Sequence, residues 1–342
     1  YAQKFMLDVI VLNRENARQF SSIVSANPDP TAIYFDEDNN LHLVFTFEKI
    51  NPSDITFASI RLLYKVQVYD PEFLEPEALD LKNIPPDLEL YTAGDNRWWP
   101  ADNPIIAQAV SEIVGSETSV YSIAKKIMDF VAERLEYEVQ SERLGALRAY
   151  LNQRGDCSEY TDLTIALARA AGIPARAAYG WGYYEKENLR GHAWAEVYFP
   201  TFGWQPLDPT WAENSSNYFA RLDSIHLTRS IRAINSSESW INFIFYGSLP
   251  SCEESWDIKP ISEDEAVSHY LTSAQQHLAL ASALLAETKN EELGGLIQSA
   301  MADLAMAQTT ENTERVIALC ESAISKSYEI VAVLGKPPTY AA

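Results

Sequence analysis

The amino-acid sequence predicts an α+β protein built from three regions that differ in periodicity. Strand-like alternation runs through residues 1–90, helical i, i+3, i+4 spacing begins at Ile105, and a segment rich in Ala, Leu, Glu, Ser and Gln follows Pro260. A chain of 342 residues, 47% of them hydrophobic, has room for two or three domains with ordinary cores. The expected parts are a β-rich N-terminal domain with its linker over 1–101, an α+β core over 102–250 and a three-helix appendage over 260–335.

Charge and motif content exclude several classes of protein. The chain has 26 Lys and Arg against 48 Asp and Glu, a formal net charge of −22, so its surface repels phosphate backbones and nucleic acid is not an expected partner. There is no Gly-rich phosphate loop, no H-E-x-x-H pattern among the five histidines and no C-x-x-C pair among the three cysteines. The sequence therefore predicts no cofactor and no metal.

Three strands are predicted in the N-terminal region. Phe5–Leu12 is rich in apolar and β-branched residues, Leu41–Phe47 alternates, and Ile60–Tyr69 alternates loosely. Turns rich in Asn, Pro and Asp separate them. The proline-rich stretch Asp70–Pro104 predicts an extended connection to the next domain.

Helical periodicity then dominates the start of the core. Two helices are expected between Ile105 and Leu135, and a third over Cys157–Ala171. Asp156 and Glu159 form a capping-box pattern at the start of this third helix, and Gly172 with Pro174 ends it.

Strand-like runs follow at Ala175–Gly182, His192–Phe199 and Trp204–Asp208. Alternation places His192, Trp194, Glu196 and Tyr198 on one face of their strand. In a hairpin whose paired residue numbers sum to 400, His192 lies opposite Asp208, with Cβ atoms about 5 Å apart, or about 7 to 8 Å apart in a diagonal register.

The C-terminal region predicts three amphipathic helices. Ser262 and Glu265 form a second capping-box pattern, and two further helices are expected over about 291–308 and 313–334. Because no polar cluster interrupts the apolar stripes, we expect this appendage to brace the core or to mediate self-association.

Cys157 is the candidate nucleophile. It lies at the start of a capped helix, where unpaired N–H groups and the helix dipole favour a thiolate. A structural cysteine near a helix end is the alternative, and His192 and Asp208 taken singly can equally be a core histidine and a turn residue.

Four motifs in order resemble those of the transglutaminase-like superfamily. They are Arg154-Gly155-Asp156-Cys157-Ser158-Glu159-Tyr160, then Arg169-Ala170-Ala171-Gly172-Ile173-Pro174-Ala175-Arg176, then His192-Ala193-Trp194-Ala195-Glu196-Val197, and finally Gly203-Trp204-Gln205-Pro206-Leu207-Asp208-Pro209-Thr210. The resemblance covers about residues 102–250 and implies a papain-like α+β core.

The resemblance also implies a reaction. Cys157 is the expected nucleophile, His192 its base and Asp208 the residue that orients the base, in acyl transfer on peptide or carboxamide bonds through a thioester. We expect hydrolysis by a protease or amidase; the alternatives are a protein-glutamine transglutaminase and a catalytically silent binding or scaffold module. The Cys157 N–H is one expected oxyanion donor, and the candidates for the second are Trp98, Trp99 and Gln153.

Substrate contacts are expected from aromatic residues beside the triad. Trp181 and Trp194 are the predicted substrate-binding residues, with Tyr183 and Tyr184 as neighbours on the same loop; ordinary aromatic packing is the alternative. The expected partner is a protein or peptide substrate.

The location is expected to be extracytoplasmic or secreted, because the sequence starts at Tyr1 without a leader, although a cytoplasmic origin fits the same start. A membrane anchor outside the sequence would fit this reading. In an oxidising compartment, Cys252 and Cys320 are expected to pair.

Overall fold

This computed structural model describes residues 2–14, 18–50, 56–68, 79–95, 97–183, 189–212, 218–233, 241–247, 253–286, 288 and 290–338. The chain divides into two compact units, and each is described by itself. A flanking unit comprises 1–14, 20–65 and 240–342, and a central unit comprises 15–19 and 66–239. This division differs from the expected three parts, because N-terminal strands and C-terminal helices share one hydrophobic core.

The flanking unit is built on antiparallel strands. One sheet has the order β12-β1-β4-β3, and β2 pairs with β5. The predicted strands at β1, β4 and β5 are confirmed, whereas the sequence did not reveal β2 and β3. The bounds are β1 Ala2–Asn13, β2 Gln19–Asn27, β3 Ala32–Phe35, β4 Asn40–Ile50, β5 Ser59–Val66 and β12 Ile241–Gly247.

Three long helices complete the flanking unit, at the positions expected from their apolar stripes: α6 Glu263–Ala286, α7 Glu291–Thr309 and α8 Thr313–Leu334. Their stripes pack with the strands, so that Leu278 and Ile324 lie in the same core as Leu43. No helix in the described part of the chain combines the length and apolar composition needed to cross a bilayer.

Contrary to expectation, buried polar groups interrupt the helical stripes. Ser273 Oγ donates to Ile23 O at 2.7 Å, and His277 Nδ1 lies 2.8 Å from Ser273 O. His277 Nε2 has no partner among the described residues, and burial lowers the pKa of His277 to about 4. Cys320 carries a free, buried thiol, while Cys252 lies outside the described residues.

The central unit places helices against an antiparallel sheet of order β10-β9-β8-β11. Helix α4 is almost entirely buried, and its Leu163 and Ile165 share a core with Ala195 and Val197 of β9. The predicted helices and strands of this region are confirmed, and α3 with the short β6-β7 pair adds to them. The bounds are α1 Pro104–Val114, α2 Val120–Arg134, β6 Glu136–Tyr137, α3 Ala146–Asn152, β7 Arg154–Gly155, α4 Cys157–Ala170, β8 Ala175–Tyr183, β9 Leu189–Phe199, β10 Gly203–Leu207, α5 Pro209–Ala212 and β11 Leu227–Arg232.

The hairpin register differs from the expected one by two residues. Leu207 pairs with Ala195 and Gly203 with Phe199, so paired numbers sum to 402 rather than 400. Because side chains alternate with a period of two, this shift keeps every residue on its predicted face. Asp208, one residue beyond the last pair, still approaches His192, but diagonally.

Candidate active site

Cys157 is the first residue of α4, and the local sequence fixes this first turn. Asp156 Oδ1 accepts from the Ser158 N–H at 2.9 Å, and Glu159 Oε2 accepts from the Asp156 N–H at 3.0 Å, which completes the predicted capping box. Residue 155 must be glycine, since a Cβ there would lie 2.2 Å from the Cβ of Glu159. The Cys157 side chain is thereby held, half-buried, where several N–H groups converge.

Glu159 ties a second segment to this turn. Its Oε1 accepts from the Leu144 N–H at 2.7 Å. Burial raises the pKa of Glu159 to about 7, although the two backbone N–H donors oppose that rise. The Glu159 carboxyl group of this capping box therefore changes its charge near neutral pH.

Cys157, His192 and Asp208 form one hydrogen-bonded chain. His192 Nε2 lies 2.8 Å from Asp208 Oδ2, and the same ring hydrogen-bonds with the Cys157 side chain. Because Nε2 faces the carboxylate, Nδ1 is left for the sulfur. The Thr210 N–H donates to Asp208 Oδ1 at 3.1 Å and holds the other carboxylate oxygen.

The electrostatics favour a charged imidazole in this chain. Burial disfavours the charged form of His192, but the Asp208 carboxylate, followed by the Cys157 contact, raises the pKa of His192 to about 9. Burial also works against ionised Asp208, yet its charge attraction and hydrogen bonds with two histidines keep the pKa of Asp208 well below its usual range. At neutral pH the site therefore holds an imidazolium beside a carboxylate.

The second of these histidines is His226, which sequence reasoning did not single out. It is fully buried, its Nε2 lies 3.1 Å from Asp208 Oδ2, and its Nδ1 lies 2.7 Å from Asp223 Oδ1. It follows the motif-bearing strands on a loop before β11. No spacing rule connects such a loop to His192, so only the fold reveals the contact.

Aromatic rings surround the two histidines. Trp211, another residue that the sequence analysis passed over, stacks on His192 with ring centroids 4.9 Å apart. Its ring fits because residue 182 is glycine, where a Cβ would lie 3.2 Å from the indole. Trp194 is 0% exposed and packs beside both histidines, with centroids 5.8 Å from His192 and 5.3 Å from His226.

The predicted substrate-binding residues are thus less accessible than a cleft wall requires. Trp194 has no surface to offer a substrate, and Trp181, at 7% exposure, lies beneath the Arg229 guanidinium at 5.4 Å. The side chain of Tyr183 and all of Tyr184 lie outside the described residues. Trp211, which is half-buried, is the aromatic residue that reaches both His192 and the surface.

A second polar cluster forms where Arg143 binds Asp162 of α4. Its Nε donates to Asp162 Oδ2 at 2.8 Å, its Nη2 donates to Oδ1, and the Trp99 indole N–H donates to the same Oδ1 at 2.7 Å. Trp99 is therefore already committed to a buried carboxylate. Trp98 and Tyr179 have donors that are still available. The Trp98 Nε1 and the Tyr179 hydroxyl are buried without a partner among the described residues.

These two donors flank the same guanidinium. The Arg143 Cζ lies 4.7 Å from the Trp98 ring centroid and 5.9 Å from that of Tyr179. Burial is the largest cause that raises the pKa of Tyr179, and the charge of Cys157 is one of the smaller causes. Gln153, the third oxyanion candidate, is exposed and lines a groove of about 660 Å³ that contains none of the triad residues.

One group of residues has the composition of a metal site. Ligand atoms of His192, Asp208 and His226 all lie within 4.8 Å of one another. Each of these atoms is already engaged, since both Nε2 atoms face Asp208 Oδ2 at hydrogen-bond distance. The three residues are buried and satisfy one another as a hydrogen-bond network, which does not require an ion.

Comparison with known proteins agrees with the resemblance inferred from the motifs. Residues 107–209 match the model of the transglutaminase-like superfamily. An uncharacterized protein, YebA, from Bacillus subtilis is 30% identical over 121 residues, which are 30% of this chain and 14% of that protein. A protein-glutamine gamma-glutamyltransferase from Pseudomonas aeruginosa is 26% identical over 165 residues, which are 44% of this chain and 23% of that enzyme.

The solved structures to which this chain is similar include a candidate cysteine protease from Cytophaga hutchinsonii. It is 18% identical, with 77% of this chain and 94% of that chain covered at a TM-score of 0.49. The periplasmic domain of TgpA from Pseudomonas aeruginosa, bound to ethylmercury, is 16% identical, with 62% and 91% covered at a TM-score of 0.35. This chain thus contains a transglutaminase-like core of mixed helix and sheet, as expected, and spans only a part of the curated relatives named above.

Proposed function

Since residues 107–209 form a transglutaminase-like core, we propose that this protein is a thiol-dependent acyl-transfer enzyme with Cys157, His192 and Asp208 as its triad. The observation that carries the proposal is the continuous hydrogen-bonded chain from the Cys157 side chain through His192 to Asp208 Oδ2, 2.8 Å from Nε2, at the first turn of α4. A nucleophile, a base and an orienting carboxylate in this order are what covalent acyl transfer requires.

The chemistry follows from the charges on the triad. In the reactive form of the triad the proton of the Cys157 thiol has passed to His192, and the sulfur attacks the carbonyl carbon of a peptide or carboxamide. The C–N bond breaks, the His192 proton goes to the leaving amine, and a thioester remains on Cys157. Water or an amine then attacks the thioester, His192 takes its proton, and the carbon–sulfur bond breaks to restore the thiolate.

The tetrahedral intermediates need two donors for the oxyanion. The Cys157 N–H is the first, and we assign the second to Trp98, whose buried indole N–H lacks a partner among the described residues. Tyr179, with its unpartnered hydroxyl in the same cluster, is the second candidate. Trp99 is a poor one, because Asp162 already accepts its N–H.

Hydrolysis remains the preferred outcome. Aminolysis of a thioester needs a bound amine in a site from which water is excluded, usually by aromatic walls. Trp194 is fully buried and Trp181 nearly so, which leaves Trp211 as the only described aromatic residue stacked on His192 that also reaches the surface. The second candidate, transglutaminase activity, is favoured by the name of the Pseudomonas aeruginosa relative and by the free indole of Trp98.

A single assay separates these activities from a silent scaffold. The protein is incubated with a glutamine-containing casein and a fluorescent primary amine, while incorporation of the amine and cleavage of the casein are followed together. Hydrolysis gives cleavage or ammonia release without incorporation, and cross-linking activity gives incorporation without cleavage. Cys157→Ala is the control, and absence of both signals with a broad panel of substrates would favour the scaffold.

We also propose a protein or peptide substrate and an extracytoplasmic location. The substrate class follows from the acyl-transfer core, and the location is supported by the periplasmic origin given for the TgpA domain. Fractionation of the source cells with an antibody against the central unit tests the location, and recovery with cytosolic markers would refute it.

A further inference from the structure

We propose, resting on the function proposed above, that His226 is a positioning residue: a positively charged imidazolium that holds Asp208 through Nε2 and is itself held by Asp223 through Nδ1. His226 shares one oxygen of Asp208 with the catalytic base. Its Nε2 is 3.1 Å from Asp208 Oδ2, the atom that also lies 2.8 Å from His192 Nε2.

The charge on His226 follows from counting protons. A neutral imidazole has one N–H and one acceptor nitrogen, yet both nitrogens of His226 face carboxylate oxygens, at 3.1 Å and 2.7 Å. An ionised carboxylate offers no hydrogen to the second nitrogen, so both nitrogens must carry one. In agreement, burial lowers the pKa of His226, but its hydrogen bonds to Asp208 and Asp223 outweigh burial and leave that pKa raised.

Among the described residues, Arg18, Tyr218 and the His192 imidazolium also lie around His226. Arg18 Nη2 donates to the His226 carbonyl at 2.6 Å and Nη1 donates to the Asp223 carbonyl at 2.8 Å. The Tyr218 hydroxyl donates to Asp223 Oδ2 at 3.1 Å. Arg18 and the His192 imidazolium oppose a charge on His226, whereas the two carboxylates, which contact its ring nitrogens directly, favour it.

This fixed charge has a predictable effect on the catalytic base. The His192 and His226 ring centroids are 5.5 Å apart. A positive charge at that distance, in an effective dielectric of about 20, lowers the pKa of a neighbouring base by about 2. His226 therefore holds Asp208 in place and at the same time keeps His192 from becoming too weak an acid to release its proton to the leaving group.

The two effects separate in a pair of variants. His226→Gln keeps an N–H that can reach Asp208 but removes the charge, whereas His226→Phe removes both. For His226→Gln we expect the basic limb of the pH profile for Cys157 alkylation by iodoacetate, an anionic reagent whose reaction is assisted by the His192 imidazolium, to move up by about 1 to 2 pH units. For His226→Phe we expect the same direction and, because Asp208 loses its anchor, an alkylation rate at the optimum about tenfold lower, which His226→Gln largely restores.

The sign of the shift distinguishes positioning with charge from a merely structural role. If His226 only filled space, loosening the site would let Asp208 move away, and the basic limb would move down. The inference is overturned if the basic limb of the Cys157 alkylation profile in His226→Gln stays at the wild-type pH or moves below it. It is also overturned if His226→Phe is alkylated at the wild-type rate. Should His226→Phe fail to fold, Asp223→Asn replaces it as the test, because it leaves the His226 ring in place but removes a carboxylate that favours its charge. We expect this variant also to move the basic limb of the alkylation profile to higher pH.

A matched control lies in the flanking unit. His42 is also buried between two carboxylates, with Nδ1 2.8 Å from Asp8 Oδ1 and Nε2 3.2 Å from Asp36 Oδ2. His42→Gln should leave the Cys157 profile unchanged. If wild-type Cys157 reacts no faster than Cys320, the proposed function fails and this inference with it; if it reacts fast but His226→Gln behaves as wild type, this inference alone fails.

Discussion

Replacing Asp208 by Asn removes the charge that makes His192 a base of unusual strength. The pKa of His192 is about 9, against 6.5 for an unperturbed histidine, and Asp208 is the main cause that raises it against the cost of burial. That difference corresponds to about 3 kcal/mol, at about 1.4 kcal/mol per pKa unit, and to a roughly 300-fold change in the ratio of charged to neutral imidazole. In Asp208→Asn the burial cost remains, so we expect the pKa of His192 to fall below 6.5.

The consequence is measurable without knowledge of the substrate. Wild-type Cys157 should be alkylated fast by the anionic reagent iodoacetate at neutral pH, and this rate should fall as His192 loses its proton at a pH of about 9. In Asp208→Asn, alkylation at pH 7.5 should fall by about two orders of magnitude. Peptide mapping identifies the labelled cysteine, and buried Cys320 reports whether the fold has opened.

Asp8→Asn is the matched control for this experiment. Asp8 lies 2.8 Å from the buried His42 in the flanking unit, so the substitution breaks the same kind of pair in a different place. It should leave the alkylation profile of Cys157 as it is. A basic limb that stays near pH 9 in folded Asp208→Asn would refute the electrostatic reasoning.

Three further outcomes follow from the structure. Trp98→Phe, which replaces the indole and its N–H, unpartnered among the described residues, by a smaller ring without a donor, should lower kcat about 100-fold with little change in KM, whereas a wild-type kcat would remove Trp98 from the proposed oxyanion site. Gly180→Ala should destabilise the central unit by more than about 2 kcal/mol in urea melts, because the new Cβ would lie 1.8 Å from Leu227 O; a loss below about 0.5 kcal/mol would contradict that close approach. His277 has a pKa of about 4, below its unfolded value of 6.5, so the unfolded chain binds the extra proton and stability should fall as the pH drops from 6.5 towards 4; in His277→Leu that decline should be absent.

Local sequence patterns were sufficient to locate the elements that carry the proposed triad. The capping box at Asp156 and Glu159 involves residues three apart, so it could be read from the sequence and is present as predicted. Strand alternation likewise placed His192 on the correct face, and an even error in register left that face unchanged. Periodicities of this kind depend on neighbours within one element, and a single sequence contains them.

Contacts between elements distant in sequence could not be read in the same way. His226 joins the site from the loop before β11 and Trp211 from the short helix α5; the positions of both depend on packing, and neither belongs to a periodic pattern. Burial of Trp194 also escaped prediction, because alternation tells which residues share a face but not whether that face meets solvent or other residues. For the same reason, the sequence did not reveal that α6 to α8 complete the N-terminal core.

The shared core of the flanking unit has a consequence for synthesis on the ribosome. Strand β5 ends at Val66 and α6 begins at Glu263, so 196 residues separate the last N-terminal strand from the first helix that covers it. At about 5 to 20 residues per second, the ribosome takes roughly 10 to 40 s over this interval. During that time the apolar side chains of β1 and β4 have no helices to pack against, while the central unit can emerge and fold. The nascent chain thus carries an uncovered sheet for tens of seconds, which makes it a client for chaperones that bind exposed strands, and a premature stop before α6 would leave that sheet uncovered for good.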